Sequence, residues 1–290
     1  MLHIEGGNSF FDEAASPGDN GVLALARARV IASALHRAEL DALVPGPGDL
    51  GLGLARFDEL VRAYKLPVVA SNLVRVADRR PAYQSHVVRQ LGGQRIVVVS
   101  ALDPANWPPA TGLDPTPALP ALRGVLAKVA RPGDHVVLVA RMSSDAAARL
   151  AQGLPQVSVV LVAQRGLVSF LPREEARPGQ HPERDGSSVP VVAAGQQGHY
   201  LVQFEVWAVR GDATWRGGAV TEDARERREL AVQRLVRRPE DAQARAEQAE
   251  TAAWLERQRG KTRYRYRLLE LDARLPDDPE VAAQRAALQP

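Results

Sequence analysis

Three short apolar runs constrain the fold of this chain more than any other feature. Residues 95–100, 135–140 and 157–163 are rich in Val and show no polar alternation. A strand with one wet face alternates, whereas an unbroken apolar run belongs to a strand covered on both faces, as in parallel sheets flanked by helices. Helical patterns at 117–130 and 144–153 separate these runs. Strand–helix–strand order with short connections predicts an α/β domain built on a layered sheet.

The flanking segments extend that pattern. Asp19 or Asn20 can cap a helix in which Leu25, Ala28, Ala32 and Leu35 recur at helical spacing, ending near Asp41. A Pro/Gly-rich loop runs from Pro45 to Gly53, a second helix covers about 54–64, and 66–70 reads as a buried strand. Residues 103–120 hold six prolines and read as an irregular insertion, and 179–188 as a polar loop. The runs 189–193 and 200–209 flank Gly195-Gln196-Gln197-Gly198, which predicts a hairpin closing the domain. From Thr221 onward Ala, Arg, Glu and Gln dominate, so a helical C-terminal extension is expected, with a boundary near 211–222. This divides the chain into 1–215 and 216–290.

Composition excludes several chemistries. The chain of 290 residues has no Cys, which removes disulfides, thiolate metal sites, iron–sulfur clusters and a Cys nucleophile. No apolar run approaches the roughly 18 residues a membrane span needs. The N-terminus shows no basic segment leading into an apolar one, so no signal peptide is expected. The formal charge of +3 is small, and Lys occurs only at 65, 128 and 261, so the basic residues are almost all Arg.

The order of these blocks resembles the 5′-nucleotidase-like, calcineurin-type metallophosphoesterases. Asp41-Ala42-Leu43-Val44-Pro45-Gly46-Pro47-Gly48-Asp49, followed by Gly51 and Gly53, is similar to the family's central motif. Leu66-Pro67-Val68-Val69-Ala70-Ser71-Asn72-Leu73 resembles its Pro-to-Asn strand, the 92–99 segment its next strand, and Gly195-Gln196-Gln197-Gly198-His199-Tyr200 its late hairpin. The resemblance covers about residues 1–210. It implies a four-layer α/β/β/α sandwich, a two-metal phosphoester hydrolase centre, and export from the cytoplasm, which this N-terminus does not support. In the bacterial branch most similar to this chain, a haem-binding Cys-X-X-Cys-His module follows the helical stretch. Without Cys, no electron-transfer role carries over.

The family's two cations generate a hydroxide and clamp the phosphate, and the resemblance implies five ligand sets. The first, Asp-X-His, has no counterpart, because the chain opens at what looks like the second strand, so Met1 reads as an internal start. The Gly-Asp of the second is Gly7-Asn8. The Gly-Asn-His-Glu of the third is Gly46-Pro47-Gly48-Asp49. The Ser-His of the fourth is Ala140-Arg141, and the Gly-His-X-His of the fifth is Ala163-Gln164-Arg165-Gly166. A guanidinium in a ligand position repels a dication at close range.

The expectation is therefore a pseudo-phosphatase without metal or other cofactor, acting as a binding or structural module. Its degenerate pocket would comprise Asn8, Asp49, Arg141, Gln164 and Arg165. Arg141, with Arg165 and the backbone N–H groups of loop 46–53, could bind phosphate or another small anion. Alternatively, Arg141 is solvated or paired with a carboxylate such as Asp49. The competing expectation is a 5′-nucleotidase-like hydrolase with a divergent site.

Other motifs are weaker. The six His are isolated and read as surface or strand-end residues, and no Ser sits in a Gly-X-Ser-X-Gly elbow. Lys261-Thr262-Arg263-Tyr264-Arg265-Tyr266-Arg267 interleaves cations with aromatics, as nucleic-acid binders do. Tyr264, Leu268 and Leu271 also stand at i, i+4 and i+7, and Glu270 and Asp272 dilute the charge. The segment is read as an amphipathic helix, which disfavours nucleic acid. Trp207, Trp215 and Trp254 are expected to dock the C-terminal helices, through which a protein partner could bind.

Overall fold

The computed structural model describes residues 1–11, 19–163, 189–193, 200–213, 215–271 and 275–288. In chain order the elements are β1 (Ile4–Glu5), α1 (Asp19–Arg37), β2 (Ala42–Leu43), α2 (Leu54–Ala63), β3 (Leu73–Arg75), β4 (His86–Leu91) and β5 (Gln94–Leu102). There follow β6 (Leu113–Pro115), α3 (Ala118–Val129), β7 (His135–Arg141), α4 (Ser144–Gln152), β8 (Val157–Val162) and β9 (Val191–Ala193). The chain continues with β10 (Tyr200–Trp207), β11 (Arg216–Gly217), α5 (Gly218–Arg237), α6 (Ala242–Arg257), β12 (Arg263–Glu270) and α7 (Pro279–Ala286).

The three Val-rich runs form β5, β7 and β8, the centre of a five-stranded sheet of order β4-β5-β7-β8-β9. Strands β5, β7, β8 and β9 are mutually parallel, and β4 is antiparallel to β5. One face of this sheet (Val97, Val99, Leu138, Ala140, Val160) packs on Leu122 and Leu126 of α3 and Ala147 and Ala151 of α4. The opposite face (Val98, Leu102, Val137, Val139) meets a second layer containing Leu43 and Val44. Beyond that lie Ala28 and Ala32 of α1 and Phe57 and Leu60 of α2. Burying a side chain of this size contributes about 1.5–3 kcal/mol, so burial on both sheet faces explains the missing alternation. The result is the expected helix–sheet–sheet–helix layering.

The second layer is narrow. Strands β1 and β2 pair in parallel, and the 66–70 segment adds isolated parallel bridges, Leu43 to Val68 and Val69 to Gln84. The segment expected as a regular strand is therefore buried and extended but only bridged. Asn72 fixes its end: its amide donates to the carbonyls of Leu102 and Thr116 and accepts from the Leu102 N–H.

Two expectations need correction. The runs 189–193 and 200–209 do not form a hairpin with each other. Strand β9 extends the main sheet beside β8, and β10 lies in a separate sheet of order β10-β12-β11; the Gly195–Gly198 linker lies outside the described residues. Nor is 261–267 helical. Residues Arg263–Glu270 form β12, antiparallel to β10. Period-two alternation sends Tyr264 and Tyr266 to the core with Phe204 and Trp215. The opposite side carries Arg265, ion-paired to Glu205 directly across the ladder, and Arg267, bonded to Gln203. The cross-strand pairs outweigh a helical face of three apolar residues.

Helices α5 and α6 pack on each other, held in part by Arg227–Glu247 and Arg234–Asp241 pairs. Helix α7 returns to α1, where Arg37 pairs with Asp278 and Glu280. Among the described residues no helix is long and apolar enough to cross a membrane.

Candidate functional site

In sheets of this kind ligand sites lie beyond the C-terminal ends of parallel strands. Here β1 runs into Gly6-Gly7-Asn8-Ser9-Phe10, β2 into Val44–Asp49, and β7 ends at Arg141. These three segments converge.

Asp49 lies at their centre and is fully buried. Its Oδ1 accepts from the Ser9 N–H (2.7 Å) and the Phe10 N–H (3.2 Å), and its Oδ2 from the Asn8 N–H (2.8 Å) and the Gly46 N–H (2.7 Å). A carboxylate offers about four lone-pair sites, and backbone donors occupy all of them. Burial pushes this carboxyl above the ordinary aspartate value, opposed by the N–H groups of Gly46, Asn8, Phe10 and Ser9. With no lone pair left to carry a proton, the contacts hold the ionised form.

Asn8 has a left-handed backbone (φ 64°), which Asn tolerates better than most residues. Its Oδ1 accepts from the Gly48 N–H at 2.8 Å. Arg141 Nη1 donates to the Gly6 carbonyl. Between them Gly46 leaves no spare volume: a Cβ there would meet Asn8 Oδ1 and stand 2.8 Å from Arg141 Cζ. Of the five residues singled out from the sequence, Asn8, Asp49 and Arg141 are thus brought together, and Gln164 and Arg165 lie outside the described residues. The four hydrogen bonds that Asp49 accepts all come from backbone N–H groups.

Glu5 was not anticipated. Burial pushes its carboxyl up, opposed by the Ser9 hydroxyl, raised further by the charge of Asp49, and lowered by the Gly7 and Gly6 N–H groups. Its Oε1 accepts from the Gly7 N–H at 3.2 Å. The only sequence signal was its place at a strand end before Gly6-Gly7.

His135 stands at the start of β7, a strand end as expected, but it is buried, and its Nδ1 accepts from the Trp215 indole N–H at 2.9 Å. That contact sets the tautomer with the proton on Nε2, which has no partner among the described residues. Desolvation lowers the His135 pKa, against the charges of Asp212 and Asp134. Trp215, expected to dock the C-terminal helices, instead packs against His135 of β7, Phe204 of β10 and Tyr264 of β12.

No family profile matches the chain, and no curated protein matches it. Solved structures do. The sulfate thiohydrolase SoxB of Thermus thermophilus, in complex with glycerol, matches with a TM-score of 0.65 at 17% identity, over 99% of this chain and 42% of its own. A 5′-nucleotidase precursor, also from Thermus thermophilus, matches at 0.63 and 16% identity, over 99% of this chain and 48% of its own. The calcineurin-like phosphoesterase YfkN of Bacillus subtilis matches at 0.54 and 16% identity, over 73% of each chain. The fold is that of the metallophosphoesterases.

The chain spans less than half the length of the first two of these structures. A metallophosphoesterase fold implies two cations held by carboxylate, amide and imidazole donors, and the described side chains Asn8, Asp49 and Arg141 do not fit such a set. Both oxygens of Asp49 face N–H groups, the amide oxygen of Asn8 is taken by Gly48, and a guanidinium occupies the end of β7. Among the described residues no group of three or more His, Asp or Glu stands in metal-binding proximity.

Proposed function

We propose that this metallophosphoesterase-fold chain is a pseudo-phosphatase, a non-catalytic binding or structural module. One observation carries this reading: the carboxylate at the centre of the strand ends is spent on four backbone N–H groups. Asp49 ties the loop after β1 to the turn after β2, Asn8 returns a bond in the opposite direction, and Arg141 braces Gly6. These residues form a clasp that closes the site upon itself, in the place where a hydrolase keeps donors open toward solvent.

The test is titration of the purified chain with Mn²⁺ and Zn²⁺ by calorimetry, alongside hydrolysis of AMP and p-nitrophenyl phosphate. We expect no saturable pair of metal sites and no turnover above background. Phosphatase activity abolished by EDTA and restored by either cation would overturn the proposal and favour the divergent 5′-nucleotidase-like hydrolase.

A further inference from the structure

A second site lies away from the clasp, where helices α5 and α6 meet the open end of the β10–β12 ladder. A cleft of about 430 Å³ is lined there by Arg225 and Arg228 of α5, Lys261 and Arg263 at the start of β12, and Trp207 at the end of β10. Arg259 and Glu256 complete the rim and pair with each other at 3.3 Å. Arg225, Arg228, Lys261 and Arg263 make no side-chain hydrogen bond or ion pair among the described residues. By contrast, Arg227 and Arg234 of α5 are paired to Glu247 and Asp241, and Arg265 of β12 to Glu205. The one acid of the lining, Glu256, is paired to Arg259, so the four remaining cations repel one another, an arrangement that a multiply charged anion would neutralise.

The rest of the lining narrows the ligand. Guanidinium groups match the oxygens of phosphate in bidentate geometry. The volume lies in the range of small-molecule sites. Trp207 is 47% exposed, with Arg265 over its ring at 5.5 Å, and offers one flat apolar wall together with Leu255. A nucleic-acid track would instead need successive aromatics along an extended basic groove. Here there is one exposed indole, and the exposed acids Glu226 and Glu229 interrupt the helix surface beyond the cleft.

We infer that this cleft binds a linear oligophosphate through Arg225, Arg228, Lys261 and Arg263. Inorganic tripolyphosphate and a nucleoside triphosphate share that chemistry and differ only in whether a ring uses Trp207.

The experiment is calorimetric titration of the chain, with Trp fluorescence as a second readout, using tripolyphosphate, ATP, orthophosphate and a single-stranded oligonucleotide at near-physiological salt. Tripolyphosphate should bind saturably, with orthophosphate weaker by about tenfold or more. Arg225→Ala and Arg228→Ala alter exposed helix positions, so both variants should keep the wild-type circular dichroism spectrum and melting point. Each should weaken binding by about tenfold, and Arg80→Ala, at a distant exposed arginine, should not change it. ATP binding more tightly than tripolyphosphate, with the difference lost in Trp207→Ala, would support a nucleoside-borne ligand; equal affinities would support an inorganic one. Absence of saturable binding of both oligophosphates up to about 1 mM, a Kd limit that corresponds to about 4 kcal/mol, would overturn the inference. So would unchanged affinity in the Arg225→Ala/Arg228→Ala double variant, or preferential binding of the oligonucleotide.

Discussion

Replacing Asp49 with Asn tests the clasp with one atom changed. Each carboxylate oxygen receives two N–H donors, one from a buried residue and one from a half-buried one: Phe10 and Ser9 on Oδ1, Gly46 and Asn8 on Oδ2. Whichever way the Asn amide is flipped, its NH₂ therefore faces two N–H groups and leaves a buried donor without an acceptor. An unsatisfied buried donor costs about 1–3 kcal/mol, and the half-buried one less because water can reach it. The remaining oxygen also exchanges charge-assisted bonds for neutral ones. The expected loss is about 2–4 kcal/mol, a large part of the 5–15 kcal/mol that holds a typical domain. Urea denaturation followed by circular dichroism, at pH 7 with unchanged m-value, measures it. Asp49→Ala, which orphans all four donors, should lose more. If Asp49→Asn stays within about 0.5 kcal/mol of wild type, the surface-substitution range, the carboxyl is not held ionised by these bonds and the clasp is misread.

Three further outcomes follow from the same contacts. Gly46→Ala should destabilise by about 1–3 kcal/mol, the cost of overpacking, because its methyl meets Asn8 Oδ1 and Arg141; adding Asn8→Gly should recover part of this in the same denaturation assay. Trp215→Phe leaves the buried Nδ1 of His135 without its donor and should cost about 1–3 kcal/mol, read as a fall in melting temperature. His135 titrates below its ordinary value of 6.5 in the fold, so the unfolded chain takes up the proton first. Its contribution is fully present above about pH 6.5 and is lost as pH falls toward the depressed folded value. His86, lowered by burial and by Arg95, acts with the same sign. Melting curves from pH 8 to 5 should fall less steeply in His135→Leu than in wild type, and equal slopes would refute the assignment.

Much of the fold was legible because burial on both faces writes itself into composition: β5, β7 and β8 stand where the Val-rich runs are, and α3 and α4 between them. The layer order needed the resemblance, since periodicity does not say which sheet a short segment such as Ile4–Glu5 joins. The failures share one cause, a partner distant in sequence. Tyr264 and Tyr266 satisfy a helical stripe and a strand alternation equally well, and only β10, about 60 residues earlier, decides between them. His135 is the strand end it reads as, but its burial depends on Trp215, 80 residues on. Asn8, Asp49 and Arg141 were picked out by position, but their roles were not, because a side chain bonded to backbone N–H groups leaves no trace in residue type. Glu5 carried almost no signal for the same reason.

The pairing of β10 with β12 also sets an order of events. Between the two strands lies the α5–α6 hairpin, whose contacts are local and form early, whereas the ladder closes a loop of about 60 residues. During synthesis the five-stranded sheet is complete before Arg263 leaves the ribosome. Until then Phe204 and Trp215 lack Tyr264 and Tyr266 as cover, so a chain cut short before β12 leaves this apolar face uncovered.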